Sequence, residues 1–265
     1  MTSFRRPNAS IVGSSINLTA VPAVLSGIWD KNEHYTLVGS SNWFNLGGLT
    51  MTYNFTSNNA TAVFDGVTLI GNCPGGAGAI VRAGGTYSVS STNRRNGGIV
   101  GGDGGTNPSG GNSGAGGSIG GIAGITGTSQ TPVLADGLGT ALTGIGGYTL
   151  TNFGRGGGGN NANNGVQGGP GQNYGGGGGG GGSQFGVYFY QGGAGAGGAI
   201  VFQYTSNGLP YYRIAPQSAG AGSYTFPGLT TFVKIWAIGA GSTGFANVNG
   251  AFGGGAGGTA WCEFT

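Results

Sequence analysis

Charge is what this chain has least of. Fifteen of its 265 residues are Lys, Arg, Asp or Glu, 6% of the sequence, where about a quarter is usual. Between Arg155 and Arg213 there is no charged side chain at all. The net charge of +3 is carried by scattered arginines and the pairs Arg5-Arg6 and Arg94-Arg95. That is no basic stripe of the kind that grips a phosphate backbone, so nucleic acid is not an expected partner. Nor is it the signature of disorder, which joins low hydrophobicity to high net charge, because 37% of the residues are hydrophobic and 11% aromatic.

Other scarcities narrow the chemistry. Two cysteines, Cys73 and Cys262, are too few and too far apart for a disulfide scaffold or a metal knuckle, and free thiols are expected, with a single long-range bridge between them as the alternative. The single histidine, His34, sits beside Asp30 and Glu33, a cluster that lacks a second His or Cys for a metal and a nucleophile elbow for a triad. A polar turn or short helix with an Asp30 to His34 pair explains it, and neither a catalytic nor a metal site is expected. No GK[ST] follows any glycine run, so the many G-x-G-x-x-G matches are products of composition and no nucleotide or other cofactor is expected. The opening MTSFRRPNASIVGSS has no apolar leader and no window reaches about 18 apolar residues, so neither secretion through a signal peptide nor membrane insertion is expected. Nine prolines cannot sustain a collagen helix.

What the chain has instead is glycine, 68 residues in 265. The glycines fall into trains with a spacing of three. One runs from Gly102 through Gly105, Pro108, Gly111, Gly114 and Gly117 to Gly120, then shifts register to Gly121, Gly124 and Gly127. Others run Gly165, Gly168, Gly171, Tyr174, Gly177, Gly180; Gly192, Gly195, Gly198; and Gly241, Gly244, Asn247, Gly250, Gly253. Three residues per turn is the period of an extended left-handed helix with no internal hydrogen bonds. Its amides must bond to neighbours, and glycine lets such helices lie side by side. A bundle of polyglycine II helices is therefore expected, with Gly175 to Gly182 as an interior member.

The rest alternates like β-strand. ATAVFDGVTLI (60–70), AIVRAGGTYSVS (79–90), GVYFYQ (186–191), GAIVFQY (198–204), YYRIA (211–215), TFVKIWAI (231–238) and TAWCEF (259–264) are β-branched and aromatic, bounded by glycine. Nothing of twelve or more residues has an apolar period of 3.6; SGIWDKNEHY (26–35) is the one short exception. The expected fold is all-β, strands or a sandwich combined with the glycine bundle, with almost no α-helix. Its expected parts are an N-terminal segment 1–47, a glycine-rich unit 48–204 and a C-terminal glycine-rich unit 205–265.

Two stretches carry a resemblance. SGIWDKNEHYTLVGSSNW (26–43) resembles a segment near the N-terminus of glycine-rich virion proteins of tailed phages. FPGLTTFVKIWAIGAGSTGFANVNGAFGGGAGGTAWCEF (226–264) is similar to the glycine-rich domain of phage tail fibres, an apolar strand leading through a glycine block to a closing strand, and GGAGAGGAIVFQY (192–204) looks like a second closing strand. The trains also resemble the polyglycine II tip adhesins of T-even-type phages. The resemblance implies a virion protein that binds a bacterial surface glycan or outer-membrane protein without catalysis. It would assemble with other tail or fibre proteins, with a homotrimer as one form. A non-adhesive structural virion protein is the alternative. An ice-binding bundle is a third reading, but it should show flat Thr or Ala faces and several disulfides.

Receptor-binding candidates are the aromatic and Asn-rich inserts between glycine runs, since aromatic rings give rigid contact area at small entropic cost. They are Asn160, Asn161, Asn173, Tyr174, Phe185, Tyr188, Phe189, Tyr190, Phe245, Asn247, Asn249 and Phe252. For GVYFY a core strand is the competing reading. Trp29 and Trp43 are the candidates for attachment to the particle, with core packing as the alternative.

Overall fold

The computed structural model describes residues 46–73, 82–105, 116–119, 140–143, 149–157, 159, 167–181, 183–184, 188–247 and 250–265. Among these residues there are sixteen β-strands, one short 3-10 turn at Gln217–Ala219 and no α-helix. The fold is all-β, as the alternating pattern predicts. Trp29, Trp43 and the Asp30, Glu33, His34 cluster lie outside the described residues.

Two five-stranded antiparallel sheets make a sandwich. The first contains β1 (Thr50–Thr56), β2 (Asn59–Phe64), β3 (Val67–Gly71) and β4 (Tyr87–Val89), with β12 (Gly222–Thr225) beside β1, in the order β12-β1-β2-β3-β4. The second contains β5 (Asn96–Ile99), β10 (Ala199–Ser206), β11 (Leu209–Pro216), β13 (Thr230–Ile238) and β16 (Thr259–Phe264), in the order β11-β10-β13-β16-β5. Two hairpins are closed by two-residue turns with positive φ at both positions, Asp65-Gly66 (46° and 73°) and Asn207-Gly208 (49° and 73°). Asp-Gly and Asn-Gly are the pairs that tolerate this conformation.

Period-two alternation places Met51, Ala62, Phe64 and Leu69 of the first sheet against Ile200, Phe202, Val233, Ile235, Cys262 and Phe264 of the second. The Phe64 ring meets Phe264 edge-on at 4.7 Å and Phe226 at 5.0 Å. The second sheet is covered on its other face too. There Val201, Trp236 and Ile238 join Ile119, Ala256 and the hairpin of β6 (Thr140–Thr143) and β7 (Thr149–Phe153), with Leu142 and Phe153 buried. A strand covered on both faces reads as a continuous apolar run, which is why β10 is AIVFQYTS. The expected boundary at 204/205 falls inside this sheet. It cuts β10, and residues on both sides of it pair within both sheets.

Beyond one end of the second sheet, its strands run on as glycine segments in the same lateral order: 193–198 before β10, 239–244 after β13, 253–258 before β16 and 101–105 after β5. Here the bonding period changes from two to three. Gly241 and Gly244 donate to the carbonyls of Ala196 and Gly193; Gly239 and Ser242 donate to Gly258 and Gly255; Gly253 and Ala256 donate to Gly105 and Gly102. Residues 82–86, expected as part of a strand over 79–90, belong to this layer instead, with Gly101 and Gly104 donating to Gly85 and Arg82. Among the described residues of that stretch only Tyr87–Val89 is strand.

Segment 175–181 lies in the middle of the block. Its successive carbonyls from Gly175 to Gly179 accept bonds from Gly257, Ala196, Gly157, Gly254 and Gly193. Positions 175 and 178 thus face one neighbour and 176 and 179 a second, while 177 faces a third. Its donors reach three further segments, through Gly117, Ser242 and Gly169. Every residue from Gly175 to Gly181 is buried. A methyl group on Gly177 would lie directly against the Gly254 carbonyl, and one on Gly178 against that of Gly193. Eight glycines in a row are used because six neighbours leave no side for a side chain.

Candidate functional site

The glycine block has two ends. One abuts the sandwich, where Gly175 meets Ile119 and Ile238 at 2.9 Å in the space a methyl group would need. Toward the other end lie Gly105 and Gly116, Gly157 and Gln167, Gly181 and Tyr190, and Gly244 and Gly253, pairs of positions between which the sequence supplies a connection. Hydrogen bonds join several of these positions in pairs: Gly253 donates to Gly105, Gly116 to Gly157, Gly168 to Gln191 and Gly244 to Gly193.

Two of these four connections are described in part, and both are short hairpins. The first pairs β8 (Ser183–Gln184) with β9 (Tyr188–Phe189). The expected strand over 186–191 is therefore confined to one arm of a hairpin and ends before Tyr190. The second pairs β14 (Phe245–Asn247) with β15 (Gly250–Phe252), placing Phe245 opposite Phe252.

Where the two hairpins rejoin the block they border a cleft of about 290 Å³, lined by Tyr190, Gln191, Gly192, Thr243, Gly244, Phe245 and Ala246. Tyr190 and Phe245 are half-buried, whereas Gln191 and Thr243 are exposed. Two of its lining residues, Gly192 and Gly244, are packed against neighbouring backbone. A methyl group on Gly192 would collide with Gly244, and one on Gly244 with the Gly179 carbonyl. Gly244 donates to Gly193 at 2.9 Å and Gly193 to Gly179 at 2.7 Å, so both walls are bonded into the block.

Among the described residues no charged side chain lines this cleft. Within the block, Arg82 donates to the Gly104 carbonyl at 3.3 Å and Asp103 accepts from the Gly84 amide at 2.8 Å. Ion pairs sit on the sandwich: Lys234 with Glu263 at 2.7 Å, Arg95 with Glu263 at 3.3 Å, and Arg94 with Asp65. A larger cavity of about 550 Å³ there is lined by Asn93, Arg94, Arg95, Phe232, Glu263 and Thr265. Its charged groups are already engaged with one another or with Asp65.

The expected site residues are distributed as follows. Tyr190 and Phe245 share the cleft; Tyr188 and Phe189 precede it in β9, and Asn247 and Phe252 stand in the adjoining hairpin. Asn173 and Tyr174 sit at the opposite end. Their turn reverses the chain next to the sandwich, where the Asn173 carbonyl accepts from Gly154 and the Tyr174 ring packs 5.9 Å from Phe153 beside the second core. Asn160, Asn161, Phe185 and Asn249 lie outside the described residues. Thr243 was not among the expected residues; its signal was that it is the one β-branched residue in the glycine stretch 239–244.

Both cysteines are thiols and both are buried. Burial pushes the Cys262 thiol up to about 11, against lowering by Arg94 and the Glu263 backbone. It is packed rather than poised as a nucleophile. Among the described residues no three of His, Cys, Asp and Glu come together as a metal site, and no helix is long and apolar enough to cross a membrane. Comparison with protein-family models, with curated proteins and with solved structures finds no match to this chain.

Proposed function

We propose that this chain is a tail-fibre or tail-tip adhesin of a tailed phage, a virion component that binds a bacterial surface receptor and does not turn it over. In this reading the glycine block is a polyglycine II bundle that serves as a rigid, uncharged mount. The period of three in its lateral bonds supports that assignment, because three residues per turn is the repeat of such a helix and two is the repeat of a strand. The observation that carries the functional reading is the gathering of two aromatic hairpins around one cleft at the end of the block remote from the sandwich. Binding residues sit best on connections held by a rigid scaffold, and here each connection springs from segments bonded to their neighbours. The sandwich end and residues 1–47 then remain for contacts with other tail or fibre proteins.

The test is labelling of a panel of bacterial strains by fluorescently tagged full-length protein. Strain-selective labelling is the expected result. If no strain is labelled while the protein still assembles with virion partners, the chain is a structural virion protein and the adhesin reading is overturned.

A further inference from the structure

We infer that the cleft bordered by Tyr190 and Phe245 holds one or two uncharged sugar residues of a surface glycan. This rests on the adhesin reading and adds the chemical class of the ligand. Three properties of the cleft lead there.

The first is its lining. It joins two aromatic residues, Tyr190 and Phe245, to an amide-bearing Gln191 and a hydroxyl-bearing Thr243. A pyranose has this duality, with an apolar C–H face that lies on an aromatic ring and a rim of hydroxyls that exchange hydrogen bonds. The second is charge. Among the described residues no Lys, Arg, Asp or Glu lines the cleft, and none occurs anywhere from 156 to 212 in the sequence. An acidic sugar or a phosphorylated core would enter without a counter-charge, and its desolvation would go uncompensated, so the cleft selects neutral sugars. The third is size and stiffness. At about 290 Å³ it lies at the lower limit of the roughly 300–1,000 Å³ of small-molecule sites, enough for one or two rings. Gly192 and Gly244 in its lining are packed against or bonded to neighbouring glycine segments, which leaves little to reorganise on binding.

The experiment has two arms on the full-length protein. In the first, the tagged protein is applied to an array of neutral hexose and N-acetylhexosamine oligosaccharides printed beside sialylated and phosphorylated ones. Binding confined to neutral glycans is expected, and Tyr190→Ala and Phe245→Ala should each weaken it at least tenfold, with Tyr190→Phe close to wild type. In the second, labelling of a susceptible strain is measured after periodate or protease treatment of the cells and in competition with the neutral saccharides bound on the array. Loss with periodate and with competitor, and persistence after protease, is the expected outcome. Labelling that survives periodate and is abolished by protease leaves the adhesin reading in place and overturns the sugar inference, because the receptor is then a protein. Preference for acidic glycans, or neutral binding unchanged in variants that keep the wild-type melting temperature, overturns it as well. Should either alanine variant unfold, competition on the wild-type protein decides. Absence of labelling on every strain removes the adhesin reading itself.

Discussion

Replacing Gly177 by alanine adds one methyl group to the middle of the bundle, and its cost can be worked from the surroundings. The new carbon would lie directly against the carbonyl oxygen of Gly254, with that of Gly255 at 2.9 Å. Neither oxygen belongs to a side chain that can rotate away. Gly254 is held by its own bonds, donating to Gly178 at 2.7 Å and accepting from Gly117 at 2.9 Å, and Gly177 itself bonds to Gly117 and Gly157. Overpacking a core typically costs about 1–3 kcal/mol when neighbours can adjust. Here adjustment also breaks or lengthens two or three backbone bonds at about 1 kcal/mol each. The expected loss is about 3–6 kcal/mol, a large fraction of the roughly 5–15 kcal/mol that holds a domain together. For a chain of this size that corresponds to a melting temperature lower by about 10–20 °C. Gly228→Ala is the matched control, since nothing lies within 4 Å of its added carbon. It should be neutral or stabilising by up to about 1 kcal/mol through the unfolded chain. Thermal unfolding followed by near-UV circular dichroism reads both. A Gly177→Ala protein melting within about 2 °C of wild type would refute the packing of segment 175–181 against its neighbours.

Other expectations concern the sandwich. Lys234 and Glu263 face each other at 2.7 Å with side chains 11% exposed, and the ammonium lies 4.5 Å from the Trp261 ring centre. Lys234→Met alone should cost about 3 kcal/mol in urea unfolding, because it strands most of a buried carboxylate's compensation; adding Glu263→Leu should return most of it. A double variant no more stable than the single one would show that the pair is not the source of the loss. Alkaline pH should destabilise the protein in two stages. Burial pushes Cys262 from its ordinary 9.0 up to about 11, and burial together with the 2.8 Å hydrogen bond to Tyr204 pushes Tyr224 from 10.0 up to about 12. A folded state that holds its protons more tightly is stabilised fully below the unfolded values and loses that stabilisation as pH rises through the folded ones. Urea midpoints should therefore be flat with respect to these groups below pH 9 and fall between about pH 9 and 12. Tyr224→Phe should lessen the fall between about pH 10 and 11 and remove it above about pH 11, where Cys262 no longer contributes, and an unchanged profile would contradict the burial of its hydroxyl.

Several elements are legible in the sequence almost to the residue. TFVKIWAI and TAWCEF become β13 and β16, and GAIVFQY becomes β10, since β-branched and aromatic residues bounded by glycine leave little choice of conformation. The glycine trains are legible too. Gly192, Gly195 and Gly198 all turn toward segment 239–244 and its approach from Ile238, and Gly168 and Gly171 both turn toward segment 175–181. The turn at 172–174 was not legible. An Asn and a Tyr between glycine runs look alike at either end of the block, and only the direction of the chain decides that Tyr174 meets Phe153 while Tyr190 meets the cleft.

By itself, then, the sequence determined the all-β class, the period of three and the places where side chains are forbidden, because these follow from local steric and propensity rules. The tertiary structure alone decided which glycine segments are neighbours. It also set β12 beside β1 and β5 beside β16, pairing residues more than 150 positions apart, and it brought two hairpins to one cleft. The bonds between glycine segments run from backbone to backbone. Every residue carries the same donor and acceptor, so no side-chain pattern records which partner a segment takes.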